Sequence, residues 1–178
     1  MTTPLSSLNS VSDRPQTNDL SQRVFAHLVG STPRTRDLAL VVLRVFFGLA
    51  LALTHGRTKL NTPARFIEGL SKHGFPLPQV FGWAAILSEF LGGLLLAFGL
   101  LTRPAATFVL VTLGVAAFDF HSADPFAKRE LALAYAVVAL ALAIAGPGRY
   151  SIDAWAASRA ANKPAPDRTT SGKSVAES

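Results

Sequence analysis

Four long apolar runs, nearly free of charge, limit what this chain can fold into. They are Leu38–Thr54, Val80–Leu101, Pro104–Phe118 and Leu131–Ala145. A bilayer core about 30 Å thick is crossed by about 20 helical residues. Only the second run reaches that length alone. The other three reach it with neutral or snorkelling flanks such as Thr35–Asp37 and Phe120–His121. None has the polar stripe that a surface helix of a water-soluble bundle presents. The runs predict an all-α protein, a transmembrane four-helix bundle sitting in the lipid bilayer.

An apolar share of 49% is ordinary for a globular protein, but here it averages an oily middle with two wet ends. The predicted organisation is a polar N-terminal segment (1–37), a membrane domain (38–155) and a disordered C-terminal tail (156–178). Within the first, residues 18–29 group Val24, Phe25, Leu28 and Val29 as an amphipathic helix would. The N-terminal segment lacks the early basic region and apolar run of a signal peptide. With no cysteine, thiolate catalysis, disulfide exchange, Cys-ligated zinc and iron–sulfur clusters are excluded for this chain. The net charge of +6 comes from Lys and Arg beside the apolar runs, with no basic–aromatic stripe, so no nucleic-acid partner is expected. In a four-span arrangement ten of these cations fall on the side of the termini and six on the other. The positive-inside rule then places both termini in the cytoplasm, in a multi-pass inner-membrane protein.

The connections are also legible. Leu101-Thr-Arg103-Pro104 is a tight turn, with Pro104 suited to the first turn of a new helix. Gly146-Pro147-Gly148 stops the fourth helix. The longer loop from His55 to Gln79 accommodates a short interfacial helix at Pro63–His73, with Phe66, Ile67 and Leu70 on one face. Phe75-Pro-Leu-Pro78 then enforces extended backbone.

Two charges lie inside the runs, Arg44 in the first and Glu89 in the second. A charge near mid-bilayer costs about 3 kcal/mol on insertion scales, so such groups face the bundle and usually pair. Opposite signs on consecutive antiparallel spans predict an Arg44–Glu89 ion pair. Gly82, Ala85, Gly92, Gly93 and Leu96 share the face of Glu89, and small residues there let another helix approach closely. On the first helix Arg44, Gly48, Leu51 and His55 form an inward stripe. At its far end His55, Lys59, Asp119, His121, Arg129 and Glu130 gather, with Tyr135 about one turn inside. A ligand site there, floored by Glu89, would suit a quinone headgroup, an ion or an organic acid. The same residues would equally close a bundle as a solvated rim. Haem is disfavoured, because His55 and His121 both sit at helix ends. No metal-ligand spacing motif is present.

The order of these features resembles the DoxX family of small bacterial membrane proteins. The resemblance runs through Leu43-Arg-Val-Phe-Phe-Gly48, Thr54-His-Gly-Arg-Thr-Lys-Leu60 and Gly74-Phe-Pro76. It continues with the stretch from Glu89 through Gly92, Gly93 and Gly99 to Arg103, and with Gly146-Pro-Gly-Arg149-Tyr-Ser-Ile-Asp153. It implies a four-helix inner-membrane protein. Some relatives are linked to quinone-coupled oxidation of thiosulfate, others to membrane complexes handling oxidative stress and thiol homeostasis. Carried over residue by residue, it marks Arg44, His55, Lys59, Glu89, His121, Glu130 and Arg149, with no catalytic role attached. The functional expectation is a membrane subunit of a quinone-linked redox or oxidative/thiol-stress system working with a soluble partner protein. A non-catalytic membrane anchor or a small-molecule transporter stay open, as does a homo-oligomer.

Overall fold

The computed structural model describes residues 32–162, together with Val24 and Gly30. Two units are distinguished, Met1–Arg36 and Asp37–Ser178. In the first, the Thr35 hydroxyl donates to the Thr32 carbonyl at 2.8 Å. The amphipathic helix expected over 18–29 and the tail beyond residue 162 lie outside the described residues.

All regular structure among the described residues is helical. Helix α1 is Pro33–Asn61, α2 is Pro63–Lys72, α3 is Pro78–Phe98 and α4 is Thr102–Phe120. Helix α5 is Phe126–Ala145 and α6 is Ile152–Ala161. Helices α1, α3 and α4 are long and apolar enough to cross a membrane. The fourth span, α5, places Lys128, Arg129 and Glu130 in its first turns and is uncharged from Leu131 onward. The expected tail boundary is too early, because α6 continues through residues 156–161. Its start is fixed by Ser151, whose hydroxyl accepts from the Ala154 N–H at 3.0 Å, the N-cap arrangement.

The core lies between α1, α3, α4 and α5, where Leu51, Leu96, Val109, Ala139 and Leu142 are fully buried. Large apolar side chains such as Val42, Phe46, Phe98 and Ile144 point outward, as a lipid-facing surface requires. Polar groups on the spans are absorbed locally. The hydroxyls of Thr54, Thr58, Thr107 and Thr112 each donate to the carbonyl four residues earlier.

Small residues set the register of α1 against α3. A Cβ on Gly48 would collide with the Gly93 carbonyl and the Ala97 backbone, and one on Gly56 with the backbone of Glu89 and Phe90. The other expected structural glycine, Gly92, faces Val109 of α4, and Gly82 faces Ile67 of α2. The face of Glu89 is therefore the packing face, as its small neighbours predict.

This register separates the two intramembrane charges. Arg44 lies level with Gly99, and Glu89 level with Gly56. Ten residues of helix, about 15 Å, divide the levels of Gly99 and Glu89. The expected Arg44–Glu89 pair does not form. Arg44 instead donates to the carbonyls of Pro147 and Tyr150, at 2.5 and 2.7 Å. The Gly146–Asp153 segment is thereby folded back over the end of the bundle. Arg149 N–H reaches the Asp37 carboxylate at 3.2 Å, so α1 starts at the end of the bundle where α5 stops.

Asp153 completes this clasp. One carboxylate oxygen accepts from Leu101 N–H at 2.8 Å, the other from the N–H and hydroxyl of Thr102, each at 2.9 Å. These groups open α4, where an anion also meets the positive end of the helix. Partial burial pushes the Asp153 pKa up, but the bonds from Thr102 and Leu101 outweigh it and hold the carboxyl below the usual carboxylate range. A depressed folded-state pKa stabilises above the unfolded value and is lost as pH falls through the folded one. The thermal stability of the detergent-solubilised protein is expected to drop on acidification below about pH 4. Asp153→Asn should remove part of that drop; an identical acid profile in the variant would refute the cap.

Candidate functional site

Three helices carry a wider, π-helical turn: α1 at Leu51–Gly56, α3 at Ser88–Gly92 and α4 at Ala116–Phe120. Such turns leave the ordinary hydrogen-bond ladder and are frequent at functional sites. Two of them pack on each other where Gly56 meets Glu89 and Phe90. The third lines a cavity with Glu89.

That cavity, about 260 Å³, lies among α2, α3 and α4. Its walls are aromatic, with Phe66 from α2, Phe75 from the following loop, Phe81 from α3, and Phe108 and Phe120 from α4. Its polar groups are Lys59, Glu89, Thr112 and His121. Thr112 is spent on the Phe108 carbonyl, which leaves the other three to meet a ligand. Phe81, Phe108 and Val111 line the cavity and also belong to the exposed apolar surface, so the cavity opens sideways where lipid would be.

Glu89 is the centre of this geometry. Its side chain is 3% exposed, about 16 Å along α3 from Pro78. Lys59 Nζ meets its Oε1 at 2.5 Å, while Oε2 is buried without a hydrogen-bond partner among the described residues. Lys59 reaches it because α1 runs on to Asn61, well past the apolar run, and the ammonium lies 4.6 Å from the centre of the Phe66 ring. Lys59 was a member of the expected cluster; its role as the partner of Glu89 was not foreseen.

The other expected residues divide. His121 lines the cavity and its Nδ1 lies 2.7 Å from Asp124 Oδ2. Hydrogen bonds from His121 first and Lys128 second hold the Asp124 carboxyl below its ordinary range. Asp119 lies outside the cavity, in an adjoining cleft of about 230 Å³ shared with His73 and Asp124. Phe75 and Phe120 line both spaces, and Phe120 is stacked on His73 with ring centres 4.4 Å apart. His55 does not reach the cavity; it packs edge-on against Tyr135, 5.6 Å between centres. Glu130 is exposed, and Arg44 serves the clasp at the other end. Of the expected gathering of His55, Lys59, Asp119, His121, Arg129 and Glu130, only Lys59 and His121 share the aromatic cavity with Glu89. Asp124 and the phenylalanine walls were missed. No sequence spacing gathers these phenylalanines; the packing of α2 beside α3 and α4 turns them toward one space. Among the described residues no cluster of three or more metal-ligating side chains occurs.

Four membrane helices around a buried carboxylate, clasped by a Gly-Pro-Gly loop, define a class of small multi-pass membrane protein. The DoxX family model matches residues 39–122. The chain is also 36% identical over 127 residues to inner membrane protein YqjF of Escherichia coli (strain K12), across 67% of this chain and 93% of that protein. The chain belongs to the DoxX family. No solved structure matches it. With an inner-membrane relative and apolar spans, it is a multi-pass inner-membrane protein.

Proposed function

We propose that this protein is the membrane subunit of a quinone-linked redox system, and that the aromatic cavity beside Glu89 receives the quinone headgroup from the bilayer. The observation carrying this reading is the sideways opening of an apolar, Phe-walled cavity onto the lipid-facing surface, with a buried ion pair inside. A ligand entering there is lipid-soluble. A cavity of about 150 Å³ is known to accept benzene, so 260 Å³ suits one substituted ring. Phenylalanine faces and edges suit a flat ring. Lys59 supplies a donor for a carbonyl oxygen, and Glu89 an acceptor for a hydroxyl. His121, tied to Asp124, is the group placed to exchange protons with the aqueous side. A soluble partner protein would exchange electrons with the bound ring.

The test is ligand content. Protein extracted gently from membranes is expected to retain ubiquinone or menaquinone, and Phe108→Ala combined with Phe120→Ala should reduce that content several-fold while the protein stays folded. Equal quinone in parent and variant, or none in either, would leave the anchor reading as the better one.

We further propose that both termini face the cytoplasm, on the ten-to-six bias of Lys and Arg. A C-terminal reporter active only in the periplasm should stay silent; strong signal would invert the topology.

A further inference from the structure

The clasped end of the bundle carries a second hollow, which shares no lining residue with the aromatic cavity. It is a shallow groove of about 590 Å³ lined by Phe98, Arg149, Tyr150, Ser151, Ile152 and Trp155. Hydrogen bonds fix its depth. Asp153 N–H donates to the Gly99 carbonyl at 3.0 Å, and the Asp153 carboxylate holds Leu101 and Thr102. Helix α6 therefore starts at the turn joining spans α3 and α4, just outside the membrane-crossing stretch of either. Phe98, the last residue of α3, and Tyr150 and Trp155 are each more than half exposed. Exposed Tyr and Trp at that level match the membrane–water interface, where such rings collect.

Two guanidinium groups meet these rings. Arg149 lines the groove, and Arg159 lies over the Trp155 ring, 4.1 Å from its centre. Stacking engages the flat face of a guanidinium and leaves its N–H edge open, the edge that grips a phosphate. Among the described residues no ion pair or side-chain hydrogen bond takes up either guanidinium. The carboxylates of this end are spent elsewhere, Asp153 on the start of α4 and Asp37 on the backbone N–H of Arg149.

We infer that this groove binds an anionic phospholipid of the surrounding leaflet, its phosphate on Arg149 and Arg159 and an acyl chain along Phe98 and Ile152. The site is separate from the quinone reading, and either stands without the other. A zwitterionic headgroup would bring its own cation up against two guanidinium groups. One face of the Trp155 ring, which could hold a choline, is already taken by Arg159. A free phosphate ion would use the arginines but leave the apolar floor of the groove in water. One Arg beside an anionic lipid strengthens binding by about fivefold, so two give a preference above tenfold.

The chain has two tryptophans, Trp83 and Trp155, and Trp83 lines a different groove. Trp83→Phe in the full-length protein, reconstituted in phosphatidylcholine vesicles, leaves Trp155 as the reporter. Its fluorescence is titrated with phosphatidylglycerol or phosphatidylcholine carrying brominated acyl chains. Brominated phosphatidylglycerol is expected to quench at least tenfold more effectively. Arg149→Gln should lower that preference about fivefold, and Arg149→Gln/Arg159→Gln should bring it to within about twofold. Arg103→Gln removes a charge at the same end but outside the groove, and should leave the preference intact. An equal loss in that control would show a diffuse surface field and overturn the site. Relief of quenching by inorganic phosphate, beyond that by chloride at equal ionic strength, would make a free anion the ligand and overturn the lipid. Equal quenching by the two lipids, or none by either, would also overturn it. Should Trp83→Phe not fold, native mass spectrometry of the parent decides. One phosphatidylglycerol retained per chain from a mixture with phosphatidylethanolamine is expected, and retention of neither would refute the inference.

Discussion

Lys59→Met is expected to destabilise the protein by about 3 kcal/mol, the lower end of the cost of stranding one member of a buried ion pair. The lower end applies because the Lys59 side chain is 25% exposed and water already attenuates the pair, whereas Glu89 is 3% exposed. Removing the ammonium leaves a carboxylate in the bilayer interior with neither oxygen satisfied. Glu89→Gln alone should cost less, since it removes the charge that is hard to bury. The double variant Lys59→Met/Glu89→Gln should recover most of the loss, because no lone charge remains. Thermal unfolding in detergent, read through a complete double-mutant cycle, measures the coupling. Additive losses would show that the two side chains do not depend on each other. Arg44→Gln supplies the contrast. It should destabilise by freeing the Pro147 and Tyr150 carbonyls, and its effect should add to that of Glu89→Gln, because a full register step separates them.

Gly48→Ala should be nearly as damaging for so small a change. A Cβ there meets the carbonyl oxygen of Gly93 and the backbone of Ala97, neither of which can rotate away. Overpacking of this kind typically costs about 1–3 kcal/mol, and rigid backbone on the far side argues for the upper part of that range. Helix α1 would be displaced from α3. Because the same face carries Gly56 and Lys59 toward Glu89, the ion pair would loosen with it. Gly114→Ala is the control. Gly114 also lies within a span, yet nothing stands within 4 Å of its added methyl, and alanine favours the helix over glycine. Its unfolding temperature should be unchanged or slightly higher. Equal loss in both variants would mean that glycine flexibility, not helix contact, is what Gly48 provides.

Much of the fold was legible because its causes are local. The bilayer imposes length and apolarity on each span, and both are properties of consecutive residues, so the four runs could be read directly. The same holds for the Pro104 turn, the Gly146–Gly148 stop, and α2 with Ile67 and Leu70 buried. The small residues around Glu89 announced a close helix contact, and Gly93 against Gly48 supplies it.

The pairing of charges was not legible, for a reason visible in particular residues. Arg44 and Glu89 are the charges inside the apolar runs, so hydropathy matched them with each other. Which residue lies level with which is set by where Gly48 and Gly56 let α1 touch α3, a property of two surfaces rather than one sequence. That register carries Arg44 to the Gly146–Asp153 clasp. It brings Lys59, which the sequence groups with the polar residues at the far end of the bundle, to Glu89. The cavity has the same origin, since its phenylalanines come from segments distant in sequence and converge only when α2 folds back beside α3 and α4. Sequence alone determined that this chain is a helical bundle of the membrane with a carboxylate inside it, because solvation acts residue by residue. Only the tertiary structure decided what that carboxylate touches, because contact between helices depends on register, and register is fixed by the fit of small residues against backbone.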